Sequence, residues 1–362
     1  MNRPNQSLNP LKEIIMSGAD SSRTTRRGLL KAASSAGLGL GALLAGCNAS
    51  PSTNPSGRPR LRAAFSNAGL QGTWNKLGYD AAMLWGDLLG VEVVWFDGEF
   101  DGQKQREKIE LIVDDDWDFC AFQPHQTGIL EEPVKRLKQR GIPVISMDTL
   151  LVERPRLREA GVWIEIAPDQ IAMAEASTRY LMEKIGGKGK VIHIGGESGH
   201  SGAQDRARGF NQVLAKYPEV EVVGQGVRWC NWKTEIARNT FETLLQESQE
   251  PIAGAFFHND DMALACTPAL AGTRHEKMVV TGVDGQKAGL AAVRDGQLAA
   301  TSVNPTCMIH GYSLIIGQFI VRNKEPIDDV PQQIILPSPL VSRESGNLDA
   351  MLFLSDPRHC LV

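Results

Sequence analysis

Residues 252–264 carry the pattern that most constrains this chain. The run Ile252-Ala253-Gly254-Ala255-Phe256-Phe257 is apolar throughout, stops at His258-Asn259-Asp260, and gives way to an apolar, helix-forming run from Met262 to Leu270. A short apolar run without alternation reads as a strand buried on both faces, which belongs to a parallel sheet. The polar residues after it read as a turn, with Asn259 or Asp260 capping the following helix. In open parallel sheets ligands bind at the carboxyl ends of the strands, so Asn259 and Asp260 are expected to face a crevice. Met278 to Val283 followed by Asp284-Gly285 repeats the arrangement.

The same alternation extends along most of the chain. Strand patterns at Leu61–Phe65, Val91–Trp95, Phe119–Phe122 and Ile142–Met147 are separated by segments of helical length and spacing. After an irregular stretch, Leu150 to Gly161, strands are expected at Trp163–Ile166, Val191–Ile194, Val220–Val223, Ile252–Phe257, Met278–Val283 and Leu298–Val303, with helices between them and a last one at Thr306–Val321. So many units exceed one sheet of ordinary size. The expected fold class is α/β, with two doubly wound parallel-sheet lobes joined near Ala167 and again near Asn304.

The segments -NDDMALA- (259–265) and -VTGVDG- (280–285) resemble the periplasmic sugar-binding proteins of ABC importers, the ribose-binding type of periplasmic-binding protein type I. Effector domains of LacI-like repressors share the two segments, but they need an amino-terminal helix-turn-helix. The resemblance spans about Leu61 to Ser342. It implies a multi-strand hinge with a third crossing near Gln333, so that lobe 1 comprises 61–167 and 305–333 and lobe 2 comprises 168–304 and 334–344. The tail, 345–362, lies past the usual end of the family.

The amino terminus reads as an address. Thr25-Arg26-Arg27-Gly28-Leu29-Leu30-Lys31 is a twin-arginine motif, an apolar run from Ala32 to Ala45 follows, and Leu44-Ala45-Gly46-Cys47 is a lipobox. The run is too short to span a bilayer and fits a cleavable signal. The resemblance to a twin-arginine lipoprotein signal implies that 1–46 is removed and that Cys47 is lipidated. Residues 47–60, rich in Pro, Ser and Asn, would form a flexible tether. A start at Met16 would leave a conventional charged n-region. These signals place the protein outside the cytoplasm, in the periplasm or on the outer face of the cell membrane, anchored by lipid.

Composition narrows the function classes. A formal charge of -4 supplies no basic face for nucleic acid. Six cysteines without CxxC spacing point to neither zinc nor a disulfide framework. Gly199-His200-Ser201-Gly202-Ala203 lacks the last glycine of a nucleophile elbow, and Gly195–Gly202 lacks the ending of a phosphate loop. His258 beside Asp260 and Asp261 has no second histidine at ligand spacing. No enzyme activity, cofactor or metal is expected.

A sugar offers hydroxyls at its rim and C–H groups on its faces, so a site for it needs carboxylates, amides and aromatic plates. The expected strand ends supply Asn67, Gln71, Trp74, Asp148, Thr149, Gln204, Arg206, Trp229, Trp232, Asn259, Asp284 and Asn304. By the resemblance, Asp148 stands where the family's -DR- pair binds hydroxyls, with Thr149 in place of the Arg, and Gln204 stands where another binding Arg is common. Asn259 and Asp284 match the binding residues of -ND- and -DG-. Asn304 matches a polar hinge residue, and Trp74 and Trp232 match the aromatic plates. Trp74 also lies on an apolar helix face, and of Trp229 and Trp232 one is expected to stack and one to pack. Arg206 is expected to pair with a carboxylate.

The expected ligand is a small neutral sugar or polyol, held by a monomer that hands it to the membrane subunits of an ABC importer. Two other functions share the sequence features: a sugar-sensing receptor coupled to a membrane kinase, and an exported glycoside hydrolase.

Overall fold

The computed structural model describes residues 60–361. Arg26, Arg27, Cys47, the expected signal (1–46) and all of the expected tether except Arg60 lie outside the described residues. From β1 (Leu61–Asn67) the chain runs through α1 (Thr73–Leu89), β2 (Val91–Asp97), α2 (Gly102–Ile112), β3 (Phe119–Phe122), α3 (Glu131–Gln139), β4 (Val144–Met147), α4 (Leu157–Ala160) and β5 (Val162–Pro168). It continues through α5 (Gln170–Lys184), β6 (Lys188–Gly195), α6 (Ser201–Leu214), β7 (Glu219–Val222), β8 (Arg228–Trp229), α7 (Thr234–Glu247) and β9 (Gly254–Phe257). Then come α8 (Asp260–Cys266), β10 (Val279–Asp284), α9 (Lys287–Asp295), β11 (Ala300–Val303), α10 (Thr306–Asn323), β12 (Gln333–Leu336), β13 (Leu340–Ser342) and α11 (Leu348–Leu354).

These elements form two sheets, β12-β5-β4-β3-β1-β2 and β13-β11-β10-β9-β6-β7, with β8 pairing β6. Every pairing is parallel except β11 with β13. Each sheet has a core on both faces. Ala255 and Phe257 enter one core of the second sheet and Phe256 enters the other. In the first sheet Ala63 and Phe65 face one core and Ala64 the other. Two-sided burial is why these strands read as uninterrupted apolar runs. The two-lobed α/β architecture expected from the sequence is borne out.

Three segments cross between the lobes. They lie between β5 and α5, between β11 and α10, and between β12 and β13. The last differs from expectation: residues 334–336 pair with Ile166, Ala167 and Pro168 in the first sheet, so the return falls after Leu336, at Pro337-Ser338-Pro339. The two prolines lack the N–H that would extend the parallel ladder. The tail is not a loose appendage. Its helix α11 packs Leu348, Met351 and Leu352 on Leu290, Val303 and Val341 of the second lobe. Helix α8 is also shorter than the apolar run suggests, tightening to a 3-10 turn at Thr267–Leu270 where Pro268 has no N–H to donate.

Although α10 follows a strand of the second lobe, it packs on the first, with Ile309, Leu314 and Ile320 in that core. Close approach requires glycine at position 317, where a Cβ would stand 2.4 Å from the Phe119 ring. Gly317→Ala is expected to destabilise the protein by about 1–3 kcal/mol through overpacking, read as a lower urea midpoint at unchanged slope.

Candidate functional site

The carboxyl ends of both sheets meet across a single cleft. From the first lobe Ala68, Gly72, Trp74, Asn75, Phe100, Gln123 and Asp148 line it. From the second come His200, Arg206, Trp232, Asn259, Asp261 and Asp284, with Asn304 at a crossing. Hydrogen bonds between lobes surround the cleft. The Thr73 backbone N–H and hydroxyl donate to the Asp261 carboxylate at 2.9 and 2.7 Å, Gln126 Nε2 donates to Glu197 Oε1 at 3.0 Å, and Thr127 N–H donates to the Gly199 carbonyl at 3.0 Å. This is a closed form.

Asp148 is the hub of the first lobe's contribution. Its Oδ1 accepts from Gln170 Nε2 at 2.8 Å and Asn304 Nδ2 at 3.1 Å, and its Oδ2 accepts from Gln123 Nε2 at 3.1 Å and the Thr149 hydroxyl at 3.2 Å. Gln123 Oε1 in turn accepts from Asn75 Nδ2 at 3.1 Å. On the other side Gln170 Oε1 accepts from Arg206 Nε at 2.8 Å. Nη1 donates to the His258 carbonyl and Nη2, at 3.4 Å, to Asp284 Oδ1. A continuous hydrogen-bonded chain therefore runs from Asn75 to Asp284 through both lobes, and it fixes the amide orientations. Asn304 joins it a second time: its N–H donates to the Asp284 carbonyl and its own carbonyl accepts from Trp74 Nε1. Its buried Oδ1 has no partner in the protein.

Both carboxylates stand on strained backbone, with φ of 58° at Asp148 and 111° at Asp284. Such conformations cost on the order of 1–3 kcal/mol each and persist where the surroundings over-determine them. Burial pushes the Asp284 carboxyl well above the usual range, Arg206 opposes the shift, and Asp260, Asp261 and Asp148 add to it. Arg206, the cleft's one cation among the lining residues, donates three of its five N–H groups to protein acceptors and is paired with Asp284. The cleft therefore offers carboxylate and amide acceptors, an Asn259 Nδ2 left over after Oδ1 caps Met262 N–H, and a single cation already paired with Asp284.

Asp260 and the histidines His200, His258 and His193 hold the lining in place. Asp260, buried in a niche opened by Gly282 and Gly289, accepts from the Thr301 hydroxyl at 2.8 Å and Gln286 N–H at 3.3 Å, tying the turn after β10 to β11. His200 Nδ1 accepts from Ala203 N–H, so Nε2 carries the proton and donates to Thr149 Oγ1 across the lobes. His258 Nδ1 accepts from Gly196 N–H, and its Nε2 proton goes to His193. Burial holds both His200 and His258 well below the usual histidine range, so they are neutral. No group of residues able to hold a metal occurs among the described residues.

The structure brings Trp74, Asp148, Trp232, Asn259, Asp284 and Asn304 together at the cleft. Trp74 lines it while its indole also enters the first lobe's core, and Trp229 packs its ring over Gly195 instead of entering the cleft. Two expected residues lie elsewhere. Gln71 is exposed on a groove at the lobe seam, because the turn before α1 aims it outward. Gln204 faces solvent on α6 with Nε2 on the Ser198 carbonyl, while Arg206, two positions on, turns inward. Thr149 is fully buried behind Asp148 and does not line the cleft. Phe100, Gln123, Asn75 and His200 were not anticipated. Phe100 sits at φ 50° after Glu99 at 56°, pressed over Gly69 and Gly72. Its signal was an aromatic inside the polar turn Asp97–Gly102 at a strand end.

Burial raises the Asp260 carboxyl to about 7. An unfolded Asp titrates near 3.9, so between roughly pH 4 and 7 the native state holds a proton that the unfolded state has released. Stability from this group therefore falls as pH rises through that window, by up to about 1.4 kcal/mol per pH unit. Urea unfolding of the protein and of Asp260→Asn should show the difference between them shifting against the unsubstituted protein across the window. Parallel pH profiles would contradict it.

Comparison with known proteins agrees with this geometry. The periplasmic binding protein domain family matches residues 63–315. A xylitol-binding protein of Mycolicibacterium smegmatis is 27% identical over 322 residues, 89% of this chain and 87% of its own length. The ribose import binding protein of Haemophilus influenzae is 26% identical over 70% of this chain and 82% of its own. An ABC transporter solute binding protein from Mycobacterium smegmatis, solved with bound glycerol, aligns with a TM-score of 0.71 at 25% identity, covering 80% of this chain and 96% of that one. These relatives are binding proteins rather than enzymes, as expected here.

Proposed function

The chain belongs to the periplasmic binding protein domain family, and from that premise we propose that it captures a small neutral sugar or polyol between its lobes and presents it to the membrane subunits of an ABC importer. One observation carries this: the cleft sets three carboxylates, Asp148, Asp284 and Asp261, against a single arginine, three of whose five N–H groups already donate to protein acceptors. Hydroxyl donors satisfy such acceptors, whereas an anionic ligand would meet three carboxylates against one guanidinium in a low-dielectric space. Asn304 Oδ1, buried and unpartnered in the protein, is one acceptor a hydroxyl would fill. Phe100 and Trp232, one from each lobe, offer apolar surface to the C–H groups of a polyol.

Capture works by hinge closure. Ligand contacts made from both lobes exist only when the lobes meet, so ligand favours the closed form by its differential affinity. The xylitol- and ribose-binding relatives support the ligand class. A cleft filled from both lobes of one chain needs no second copy, and the protein is proposed to act as a monomer.

Titration calorimetry against xylitol, ribose, myo-inositol and glycerol is expected to give saturable binding to at least one, and folded protein that binds none would overturn the proposal. For the bound compound, Asp148→Asn and Asp284→Asn are each expected to weaken affinity by about 1.5–3 kcal/mol, roughly tenfold or more, since each removes a charged acceptor.

The twin-arginine motif with its lipobox supports export and anchoring through Cys47. Each buried methylene contributes about 0.8 kcal/mol, so two or more acyl chains hold stably. Cys47→Ser should move the protein from the membrane fraction to the soluble fraction, and continued membrane recovery of that variant would refute lipid anchoring.

A further inference from the structure

The tail touches both lobes. Its helix α11 is seated on the second lobe, and Asp356, just past it, pairs with Lys287 of α9 at 2.7 Å. Four residues later Cys360 enters the first lobe, buried against Leu77 and Ala81 of α1 and Cys307 of α10. The two cysteines share one buried cluster, and the Cys360 thiol donates to the Pro357 carbonyl at 3.1 Å. The seam between the lobes is lined here by Lys76, Leu77, Gln286, Lys287, Ser355 and Pro357.

We propose that Cys307 and Cys360 form a disulfide in an oxidising compartment, and that the cross-linked tail becomes a strap restricting how far the cleft opens. The proposal deepens the one above and rests on its export. Four Cα steps separate Asp356 from Cys360, a reach of about 14 Å when extended. Opening that carries α1 and α10 away from α9 must therefore pull Cys360 from its seat, or be stopped if the sulfurs are joined. The reaction is thiol–disulfide exchange with a disulfide oxidant. One thiolate attacks the oxidant and forms a mixed disulfide, and the other displaces it. Two protons leave, the sulfurs bond, and the oxidant departs as two thiols with the electron pair. Burial raises the Cys360 thiol, Asp80 adds to the rise, and the neighbouring Cys307 opposes it. The Arg358 side chain is largely in solvent and Leu361 is partly so, and this stretch can lift to meet the oxidant.

The test uses the full chain without ligand, so it stands apart from the sugar assignment. After exposure to oxidised glutathione, protease digestion under non-reducing conditions should yield the Cys307 peptide joined to the Cys360 peptide, lost on reduction and absent in Cys360→Ser. Small-angle scattering should then give a smaller radius of gyration for the oxidised protein than for the reduced one, with Cys360→Ser unresponsive to oxidant. Folded protein yielding no joined peptide overturns the disulfide, and an unchanged radius on oxidation overturns the strap.

Discussion

The buried chain of hydrogen bonds from Asn75 through Gln123, Asp148, Gln170 and Arg206 to Asp284 is what the rest of the structure depends on. Removing two carboxylates and a guanidinium from water costs several kcal/mol per ion. That cost is offset by the hydrogen bonds each ion makes, and here the partners come from different lobes. Gln170 is the pivot. It opens α5 immediately after the first crossing, donates to the carboxylate of one lobe and accepts from the arginine of the other. The polarity of the cleft and its closed geometry are thus one arrangement, because the side chains that solvate the charges are the ones that join the halves.

Much of the fold was legible in the sequence because two-sided burial leaves an unmistakable trace. Residues 254–257 could only be a central parallel strand, and a strand fixes where its carboxyl end lies. Asp148, Asn259, Asp284 and Asn304 follow directly, since each stands at or just past such an end. Gln71 and Gln204 were misplaced for one reason. They sit in a turn and on a helix, where direction depends on phase, and Arg206 is only two residues from Gln204 yet faces the opposite way. Phe100 is set by two consecutive left-handed residues and contact over glycines, which no periodicity records. His200 acts through Thr149, a partner 51 positions away that exists only once the lobes close.

The misjudged third crossing and the tail share a cause. Strand β12 is short and only partly buried, so its apolar signal does not say which sheet it joins. Pairing with β5 decides, and Pro337 and Pro339 then end it. The tail carries a short amphipathic stretch, Leu348–Leu354, whose receiving surface is assembled from α9, β11 and β13. Nothing in the stretch itself names that surface.

The placement of α10 and β12 in the first lobe bears on the order in which the molecule can form. Residues 61–168 make five strands of a six-stranded sheet, but one edge and one covering helix arrive only after most of the second lobe, through β11, has been synthesised. Until then β5 offers an unpaired ladder, and the apolar surface that α10 covers stays wet. Contacts so distant in sequence slow folding and lengthen exposure to aggregation. The first half to leave the ribosome is consequently left incomplete until close to the end of synthesis, and, since β13 and the tail helix then close the second lobe, the two halves finish together.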